Sequence, residues 1–235
     1  MVSRFLSGFP AACKVGSFPG VIRRLYDATW GRVFARGYEF FFQRTEEAGL
    51  SRMRGELLSE ARGRTLELGA GTGFNFAHYP DAVTELVLTE PFGPMADQLR
   101  ANVAGSDRSV EVIEAPGEAL PFPDSSFDTV ALTLVLCTVP DPGAALDEIA
   151  RVLKPGGRFL FLEHVRAEDP GLAKWQDRLH GPWYVFGHGC HCNRDTLATI
   201  EASPLEVERV DPGSIPKAPP LVRPMLTGVC SLPNP

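Results

Sequence analysis

Glycines at alternate positions, preceded by an acidic residue, form the first pattern in this sequence that could support chemistry. The stretch Leu66 to Gly73 reads LELGAGTG. Glu67 opens it, and the small residues that follow are Gly69, Ala70, Gly71 and Gly73. Because glycine lacks a Cβ, its backbone turns tightly and lets a ligand approach closely. The pattern predicts a ligand-binding turn, with a purely structural tight turn as the alternative.

Two ligand classes use such a turn, the nicotinamide dinucleotides and S-adenosylmethionine. The dinucleotide fingerprint requires the spacing G-x-G-x-x-G, but the position three residues after Gly71 is Phe74. The carboxylate of Glu67 also suits a ligand with an ammonium and a sulfonium group better than one with a pyrophosphate. The residues therefore favour S-adenosylmethionine, and a nicotinamide-dependent oxidoreductase is the alternative.

Further candidate cofactor contacts follow the next apolar runs of the chain. Glu90 ends the second run and is followed by Pro91. A carboxylate there can accept hydrogen bonds from both ribose hydroxyls, and a solvated acid at a strand end is the alternative. The third run is followed by a second group of small residues around an acid, namely Gly117, Glu118 and Ala119.

The acceptor side of the site is predicted from the ends of the fourth and fifth apolar runs. Cys137 and Thr138 end the fourth run, and topology places them beside the methyl-bearing end of the cofactor. His164 follows the fifth run, where it could take a proton from a substrate. A structural hydrogen bond is the alternative for this histidine. The insertion that follows supplies the candidate substrate contacts Trp183, His191 and Arg194.

The run His188 to Cys192, HGCHC, contains atom types that zinc accepts. No second spaced pair of such residues occurs elsewhere in the sequence, and adjacent residues cannot easily all face one tetrahedral ion. The sequence therefore predicts no metal site. A glycine-rich loop that leads into a helix is the favoured interpretation.

A parallel sheet has to bring these residues together. Short apolar runs alternate with amphipathic helical patterns, which predicts an α/β fold with a doubly wound, mostly parallel sheet. The candidate strands are Thr65–Leu68, Glu85–Thr89, Val110–Glu114, Thr129–Cys137, Arg158–Glu163, Leu205–Val210 and Met225–Cys230. Helical faces are shared by Met95, Leu99 and Val103, and by Leu146, Ile149, Ala150 and Leu153.

A mostly helical pattern precedes the first strand. We expect residues 1–62 to form an N-terminal helical cap and residues 63–235 to form the cofactor-binding domain, in one compact unit. The aromatic run from Tyr38 to Phe42 is interpreted as core packing, with lining of the substrate pocket and membrane contact as alternatives.

The composition disfavours several function classes. The chain of 235 residues is 44% hydrophobic and 22% charged, with a net charge of -6. An acidic chain is a poor general binder of phosphate, so nucleic acid is not expected as a partner. The longest apolar run, Val130 to Val139, is far shorter than the roughly 20 residues that span a bilayer. We therefore expect a cytoplasmic protein with reduced thiols, a small-molecule acceptor and no stable membrane span.

Together the motifs resemble the class I S-adenosylmethionine-dependent methyltransferases, in their type 11 group. The shared series is ELGAGTG from Glu67, LPFPDSSFD from Leu120 and RVLKPGG from Arg151. The resemblance implies S-adenosyl-L-methionine as the cofactor and a seven-stranded sheet whose last strand is antiparallel, in agreement with the seven candidate strands. Many relatives read GDA where this chain has Ala115-Pro116-Gly117, so Glu118 or a backbone carbonyl is expected to contact the adenine amino group.

Beyond this common core, the chain resembles the alkyl-thiol S-methyltransferase family of animals and its soluble bacterial relatives. The likeness is carried by LVLCTVPDP, FLEHV, WQDRLHGPWYVFGHGCHCNRDTLATIEAS and LVRPMLTGVC. It implies methyl transfer to a small apolar acceptor, with a thiol sulfur as the first candidate. Methylation of carbon, oxygen or nitrogen on a quinone, a lipid headgroup or a secondary metabolite is the alternative within this class. Cofactor binding without catalysis is the alternative outside it.

Overall fold

The computed structural model describes residues 20–234. Its helices are α1 (Gly20–Tyr26), α2 (Arg32–Thr45), α3 (Ser51–Leu58), α4 (Gly93–Val103), α5 (Pro142–Val152), α6 (Pro170–Phe186) and α7 (Thr196–Glu201). Wide π-type turns, Asp27–Gly31 and Glu46–Leu50, join the first three helices. The helical pattern expected ahead of the first strand is therefore present from residue 20 onward, and residues 1–19 of that segment lie outside the described part. No helix within residues 20–234 is long and apolar enough to cross a membrane.

One sheet forms the centre of the molecule. Its seven strands are β1 (Gly63–Leu68), β2 (Val83–Thr89), β3 (Val110–Ile113), β4 (Phe127–Thr133), β5 (Leu153–His164), β6 (Glu206–Ser214) and β7 (Pro224–Ser231). They lie in the order β3-β2-β1-β4-β5-β7-β6. The first five strands pair in parallel, and β7 is antiparallel to both β5 and β6. The predicted doubly wound, mostly parallel sheet with an antiparallel last strand is confirmed.

Apolar side chains cover both faces of this sheet. Along β5, Phe159 and Phe161 belong to one core, whereas Leu160 and Leu162 belong to the other. Helix α5 packs on the first core and α4 on the second, through the helical faces predicted from the sequence. Burial of one such leucine or phenylalanine side chain contributes roughly 1.5 to 3 kcal/mol. The two cores hold the sheet rigid, so the strand ends that carry polar groups are fixed in position.

Strand β4 is shorter than predicted, since it ends at Thr133 and not at Cys137. Leu134 has a φ of 61°, a left-handed conformation that strand geometry does not allow. The N–H groups of Val135 and Leu136 then donate to the Glu163 carboxylate on β5 instead of to a neighbouring strand. The continuous apolar run could not reveal this turn, because the acceptor of its N–H groups lies far away in the sequence.

Strand β5 begins earlier than predicted, at Leu153 and not at Arg158. The Gly156 N–H donates to Leu232 O at 2.9 Å, and the Leu232 N–H donates to Gly157 O at 3.0 Å. The proline and glycines after α5 therefore end the helix, as predicted, but their backbone already pairs with the chain that follows β7.

The aromatic run of α2 divides between two environments. Tyr38 and Phe42 pack against Phe74, with ring centroids 5.8 and 6.4 Å away. Phe40 and Phe41 are 76% and 55% exposed. Core packing therefore describes one side of the helix, while its other side faces outward.

Gly228 of β7 tests how tightly the sheet packs around Phe161. A Cβ at this position would lie 2.3 Å from Cζ of Phe161 and 2.8 Å from Arg209 O. We expect Gly228→Ala to lower the free energy of unfolding by roughly 1 to 3 kcal/mol, because the core has no room for the methyl group. Urea denaturation measures this change.

Gly181 of α6 provides the matched control. A Cβ there would have no atom within 4 Å. Because Gly181 precedes Pro182, the helix preference of alanine is opposed by the restriction on a residue before proline. Gly181→Ala should therefore lower the free energy of unfolding by less than Gly228→Ala does. Equal effects would contradict the packing described here.

Candidate active site

The glycine turn after β1 has a backbone that few other residues tolerate. Gly69, Gly71 and Gly73 have φ values of 62°, 61° and 100°, in the left-handed region that favours glycine. The Gly73 N–H donates to Ala70 O at 2.9 Å. A Cβ at Gly69 would lie 2.8 Å from Cγ2 of Val135. The turn therefore needs glycine for its conformation and for its contact with the segment after β4.

Glu90, directly after β2, holds this turn in place. Its Oε2 accepts a hydrogen bond from the Gly71 N–H at 2.9 Å, and its Oε1 accepts one from the Phe92 N–H at 2.9 Å. Burial raises the pKa of Glu90, although the N–H donors oppose the shift. Each carboxylate oxygen has about two lone pairs, so each can accept one further hydrogen bond, for example from a ribose hydroxyl. Pro91, the next predicted contact, is exposed.

Glu67 lies inside a buried polar network. Its Oε2 accepts from the Tyr79 hydroxyl at 2.8 Å, and its Oε1 accepts from Nδ2 of Asn75 at 2.9 Å. Burial raises the pKa of Glu67 to about 7, against the lowering effect of these hydrogen bonds. The carboxylate thereby joins β1 to the chain that follows the glycine turn.

Arg54 of α3 completes this network, and the sequence did not single it out. Its guanidinium donates to Oδ1 of Asn75 at 3.0 Å, pairs with Glu46 at 3.0 Å and also donates to Thr133 Oγ1. The residue is 3% exposed, and a buried guanidinium is tolerated when such partners surround it. No local signal distinguished Arg54 from a solvated arginine, because its three partners Glu46, Asn75 and Thr133 all lie outside α3.

The loop after β3 lies against the end of β1. A Cβ at Gly117 would lie 3.0 Å from Cδ2 of Leu68, so the loop backbone approaches the strand closely. Oε1 of Glu118 accepts from the Asp141 N–H at 3.1 Å, and Ala119 is exposed. The loop therefore lies beside the glycine turn, and Glu118 is anchored to the start of α5.

A buried carboxylate shapes the segment after β4. Glu163 is 0% exposed, and its Oε1 accepts from the N–H groups of Val135 and Leu136, the latter at 3.0 Å. Burial raises the pKa of Glu163 to about 7, although His164 and the N–H donors oppose the shift. Thr138, exposed at the end of this segment, donates to Val135 O at 2.9 Å. In the sequence, Glu163 is marked only by its position as an acidic residue at the end of an apolar run.

Thiol and imidazole groups meet beside this segment. The Sγ atoms of Cys137 and Cys190 and one ring nitrogen of His164 lie within 4.8 Å of one another. Nε2 of His164 is 3.1 Å from Sγ of Cys190, and Nε1 of Trp183 donates to the same sulfur at 3.2 Å. All members of this Cys–His–Cys cluster are buried. The sequence predicted Cys137, His164 and Trp183 separately but did not connect them through Cys190.

Charge is unevenly distributed in the cluster. A hydrogen bond from Cys137 holds the pKa of Cys190 well below its usual range, with help from His164 and Trp183 and against the effect of burial. The same hydrogen bond and burial raise the pKa of Cys137. Burial lowers the pKa of His164, but the Cys190 sulfur and the Glu163 carboxylate outweigh it, so the pKa is raised. The contacts therefore favour the thiolate at Cys190 over the thiolate at Cys137.

The loop after α6 is held against the segment after β4. The His191 N–H donates to Cys137 O at 2.8 Å, and its Nδ1 lies 2.8 Å from Nε2 of His180. Burial, with the nearby charge of Arg194, lowers the pKa of His191 to about 4. Arg194 itself donates to Val139 O at 2.7 Å. Both predicted substrate contacts therefore fasten this loop beside the cluster.

Helix α2 covers the glycine turn. A Cβ at Gly71 would lie 3.8 Å from Cε1 of Tyr38. The cavity between them has a volume of about 10 Å³ and is lined by Tyr38, Arg54, Gly69, Ala70, Gly71, Phe74, Asn75 and Thr133. A groove of about 770 Å³ around Glu46 and His78 is larger, but it is open and contains no residue of the glycine turn. Two of the left-handed glycines, Gly69 and Gly71, line the smaller cavity.

Glu67→Gln tests the buried carboxylate through the pH dependence of stability. An unfolded glutamate titrates at about pH 4.3, whereas the pKa of folded Glu67 is about 7. Between these two pKa values, Glu67 binds more protons in the native state than in the unfolded state. Its protonation therefore contributes stability that is fully present below the unfolded pKa and is lost as the pH rises through the folded pKa. Over this window, the free energy of unfolding of the wild type should fall by roughly 1 to 3 kcal/mol relative to the variant.

Urea denaturation measures this difference. The range from about pH 4 to about pH 8 includes the unfolded and the folded pKa of Glu67. Glu163 also titrates with a pKa of about 7, but it is present in both proteins and cancels in the comparison. Glu111→Gln, at an exposed position of β3, is the control and should follow the wild type at every pH. Parallel pH profiles for the wild type and Glu67→Gln would contradict the assignment.

The sequence of this chain is similar to those of several known proteins. A family described as "Methyltransferase domain" matches residues 66–161. The human thiol S-methyltransferase TMT1B is 36% identical over 174 residues, which cover 67% of this chain and 70% of that protein. The rat TMT1B is 40% identical over 141 residues, but this match spans 58% of this chain and 57% of the rat protein. The demethylmenaquinone methyltransferase of Clavibacter sepedonicus is 41% identical over 100 residues, which cover 43% of this chain and 40% of that protein.

Solved structures show the same fold at low identity. The [4+2]-cyclase SpnF superposes with a TM-score of 0.65 and 19% identity, over 80% of this chain and 81% of that chain. A cyclase on this fold illustrates that the fold alone does not determine the reaction. The family assignment depends instead on the sequence matches, above all the one that covers 70% of the human protein. The chain therefore belongs to the class I S-adenosylmethionine-dependent methyltransferases, in the group that includes the thiol S-methyltransferases.

Proposed function

We propose that this protein transfers a methyl group from S-adenosylmethionine to a small apolar acceptor, and that the accepting atom is a thiol sulfur. The observation that carries the proposal is the contact between Gly69 and Val135. It joins a cofactor-type glycine turn to the segment that leads to the Cys–His–Cys cluster. Relatives named thiol S-methyltransferases support sulfur as the acceptor.

The residues around the glycine turn fit this cofactor. Glu90 accepts a hydrogen bond from the turn and has lone pairs left for the ribose hydroxyls. Gly117 approaches Leu68 closely, so the backbone of the loop after β3 lies beside the cleft. When bound, S-adenosylmethionine supplies an activated methyl group and a thioether leaving group, so no enzyme nucleophile is required. The proposed cofactor contacts are Glu67, Gly69, Ala70, Gly71, Gly73, Glu90, Pro91, Gly117, Glu118, Ala119, Cys137 and Thr138.

Tyr38 controls entry to this cleft. The cavity beneath it measures about 10 Å³, whereas sites for ligands of this size measure about 300 to 1,000 Å³. The cofactor therefore enters when α2 moves away from the glycine turn. Once seated, it would be covered by Tyr38, which would exclude water from the reacting groups.

The acceptor side consists of the Cys–His–Cys cluster and its neighbours. A thiol has to lose its proton before its sulfur attacks, because the thiolate is the nucleophile. His164 is the proposed catalytic residue, and its Nδ1 has no hydrogen-bond partner among the described residues. Trp183 is proposed to line the acceptor site, since its indole donates to Cys190. His191 and Arg194 would act on the substrate by holding the loop that carries Cys190.

Gly71→Ala tests the cofactor site. Alanine at a φ of 61° costs roughly 1 to 2 kcal/mol of stability. Its methyl group would lie 3.4 Å from Cε of Met95 and 3.8 Å from Cε1 of Tyr38. We expect the affinity for S-adenosylhomocysteine, measured by calorimetry, to fall at least about tenfold, which corresponds to 1.4 kcal/mol.

Gly105→Ala is the matched control. Gly105 has a φ of 81°, and a Cβ there would have no atom within 4 Å. The control therefore has a similar cost in backbone conformational energy, at a position just after α4. Its affinity for the ligand should equal that of the wild type. Equal affinities for the two variants would remove the glycine turn as the site.

Methyl transfer itself is tested with S-adenosylmethionine that carries an isotope label on its methyl group. Alkyl thiols, alcohols and amines of matched chain length, together with a quinol, are offered as acceptors. We expect the label in the methyl thioether of the thiol and in none of the other products. Label on the carbon of the quinol would favour the quinone alternative, and binding without any transfer would favour a non-catalytic protein.

A further inference from the structure

The Cys–His–Cys cluster has a composition that hydrogen bonding alone does not explain. We infer that Cys137, His164 and Cys190 bind one zinc ion, whose fourth coordination position takes the sulfur of the acceptor thiol. The identity of the fourth ligand rests on the proposed function, whereas the binding of the ion does not.

The separations between the ligand atoms fit a tetrahedral site. With metal–sulfur bonds of about 2.3 Å and metal–nitrogen bonds of about 2.0 Å, neighbouring ligand atoms lie roughly 3.5 to 3.8 Å apart. In this protein the three ligand atoms lie within 4.8 Å of one another, and the pair formed by His164 and Cys190 is 3.1 Å apart. Adjustments of about 1 Å or less would therefore place an ion between them.

The charge and the burial of the cluster also fit a zinc ion. Two thiolates and a neutral imidazole around a divalent cation carry no net charge, which suits a site in which Cys137, His164 and Cys190 are 2%, 4% and 8% exposed.

The surroundings of the cluster fix the ligands. Nε1 of Trp183 donates to Sγ of Cys190 at 3.2 Å, as neighbouring donors do to thiolates in metal sites. The backbone of Cys137 is held by the His191 N–H at 2.8 Å, and Arg194 donates to Val139 O at 2.7 Å. Arg194 places a positive charge near the cluster, where it would stabilise the additional negative charge of a third thiolate.

Three protein ligands with an open fourth position are typical of catalytic zinc sites, whereas structural sites have four protein ligands. A thiol that coordinates the ion loses its proton, because the S–H bond is replaced by a sulfur–metal bond and the proton is released to the buffer. The bound acceptor would then be a thiolate at neutral pH. Val135 packs against Gly69, so this thiolate would lie next to the cofactor cleft.

The sequence predicted no metal site, because the run His188 to Cys192 has no second spaced pair of metal-binding residues elsewhere in the chain. The structure brings two of the three ligands from other elements, namely Cys137 from the segment after β4 and His164 from the end of β5. Cys190 is the one ligand that comes from the run itself. A spacing rule along the chain does not detect such a site.

The experiment measures metal content and cobalt binding of the full chain without S-adenosylmethionine. Protein purified without chelator should contain about one zinc ion per chain by elemental analysis, as expected for a single site. After chelation, titration with Co²⁺ should saturate at about one equivalent and give the intense visible bands of tetrahedral cobalt with thiolate charge transfer in the near ultraviolet. A wild-type protein that contains no zinc and takes up no Co²⁺ would overturn the inference.

Variants separate the proposed ligands from other buried thiols. Cys137→Ser and Cys190→Ser should each weaken Co²⁺ binding at least about a hundredfold and remove part of the charge-transfer band. Cys192→Ser is the matched control, since Cys192 is equally buried in the same loop but its thiol contacts Gln176 O. Equal losses in Cys190→Ser and Cys192→Ser would contradict the assignment.

The wild type provides a test that does not depend on the folding of a variant. Both thiols are buried without an ion, so they react with iodoacetamide only through local opening of the cluster. Bound zinc should slow the alkylation of Cys137 and Cys190, and chelation should restore the faster rate, as peptide mass spectrometry would show. Cys230 should react equally with and without the ion. Protection that does not depend on zinc would overturn the inference.

The fourth position is tested by adding an alkyl thiol to the cobalt form. We expect a stronger charge-transfer band and the release of about one proton per bound thiol, with no change on addition of the matched alcohol. An unchanged spectrum would overturn the role of the ion toward the acceptor. A protein that binds the ion but methylates no thiol would refute only the proposed function. A metal-free protein that methylates thiols would refute only this inference and leave His164 as the base.

Discussion

The hydrogen bonds that the Glu163 carboxylate accepts from the backbone after β4 determine the arrangement of the whole site. Without an acceptor for the N–H groups of Val135 and Leu136, this apolar segment would be free to continue as a strand. With it, Leu134 turns into a left-handed conformation, Val135 packs against Gly69, and Cys137 comes beside His164 and Cys190. One buried acid thus positions both the wall of the cofactor cleft and one member of the Cys–His–Cys cluster. The N–H donors offset only part of its desolvation, because burial still raises the pKa of Glu163 to about 7.

The parallel sheet explains why the two halves of the site meet. The carboxyl ends of β1, β2, β4 and β5 lie along one edge, so the glycine turn, Glu90, the segment after β4 and His164 are neighbours although they are distant in the sequence. The cofactor half is built from backbone N–H groups and carboxylates, which suits a polar ligand that bears hydroxyls and an amine. The proposed acceptor half consists of thiols and an imidazole, groups that suit a soft atom such as sulfur. Tyr38 of α2 lies over the glycine turn, so this helix covers the proposed cofactor half.

The parts of the site that could be predicted are those encoded within a few residues. The left-handed glycines and the acid after β2 are local patterns, and the order of strands followed from the alternation of apolar runs and helical faces. The remaining parts depend on contacts between distant residues. Arg54 reaches Thr133 and Asn75, and Cys190 reaches His164, through packing that no spacing rule contains. The end of β4 was placed too late for the same reason, since the apolar run continues while its hydrogen-bond partners change to a side chain on β5.

The most direct measurement of the central claim, that the glycine turn and the Cys–His–Cys cluster are two halves of one site, is a crystal structure of the protein with S-adenosylhomocysteine. We expect the ribose hydroxyls to contact Glu90, Tyr38 to be displaced from its position over Gly71, and the thioether sulfur to point toward Cys137 and the cluster. A ligand bound in the open groove around Glu46 and His78 would show that the glycine turn is not the binding site. A ligand on the glycine turn whose thioether sulfur points away from Cys137 would contradict the central claim, because the acceptor could then not reach the methyl group.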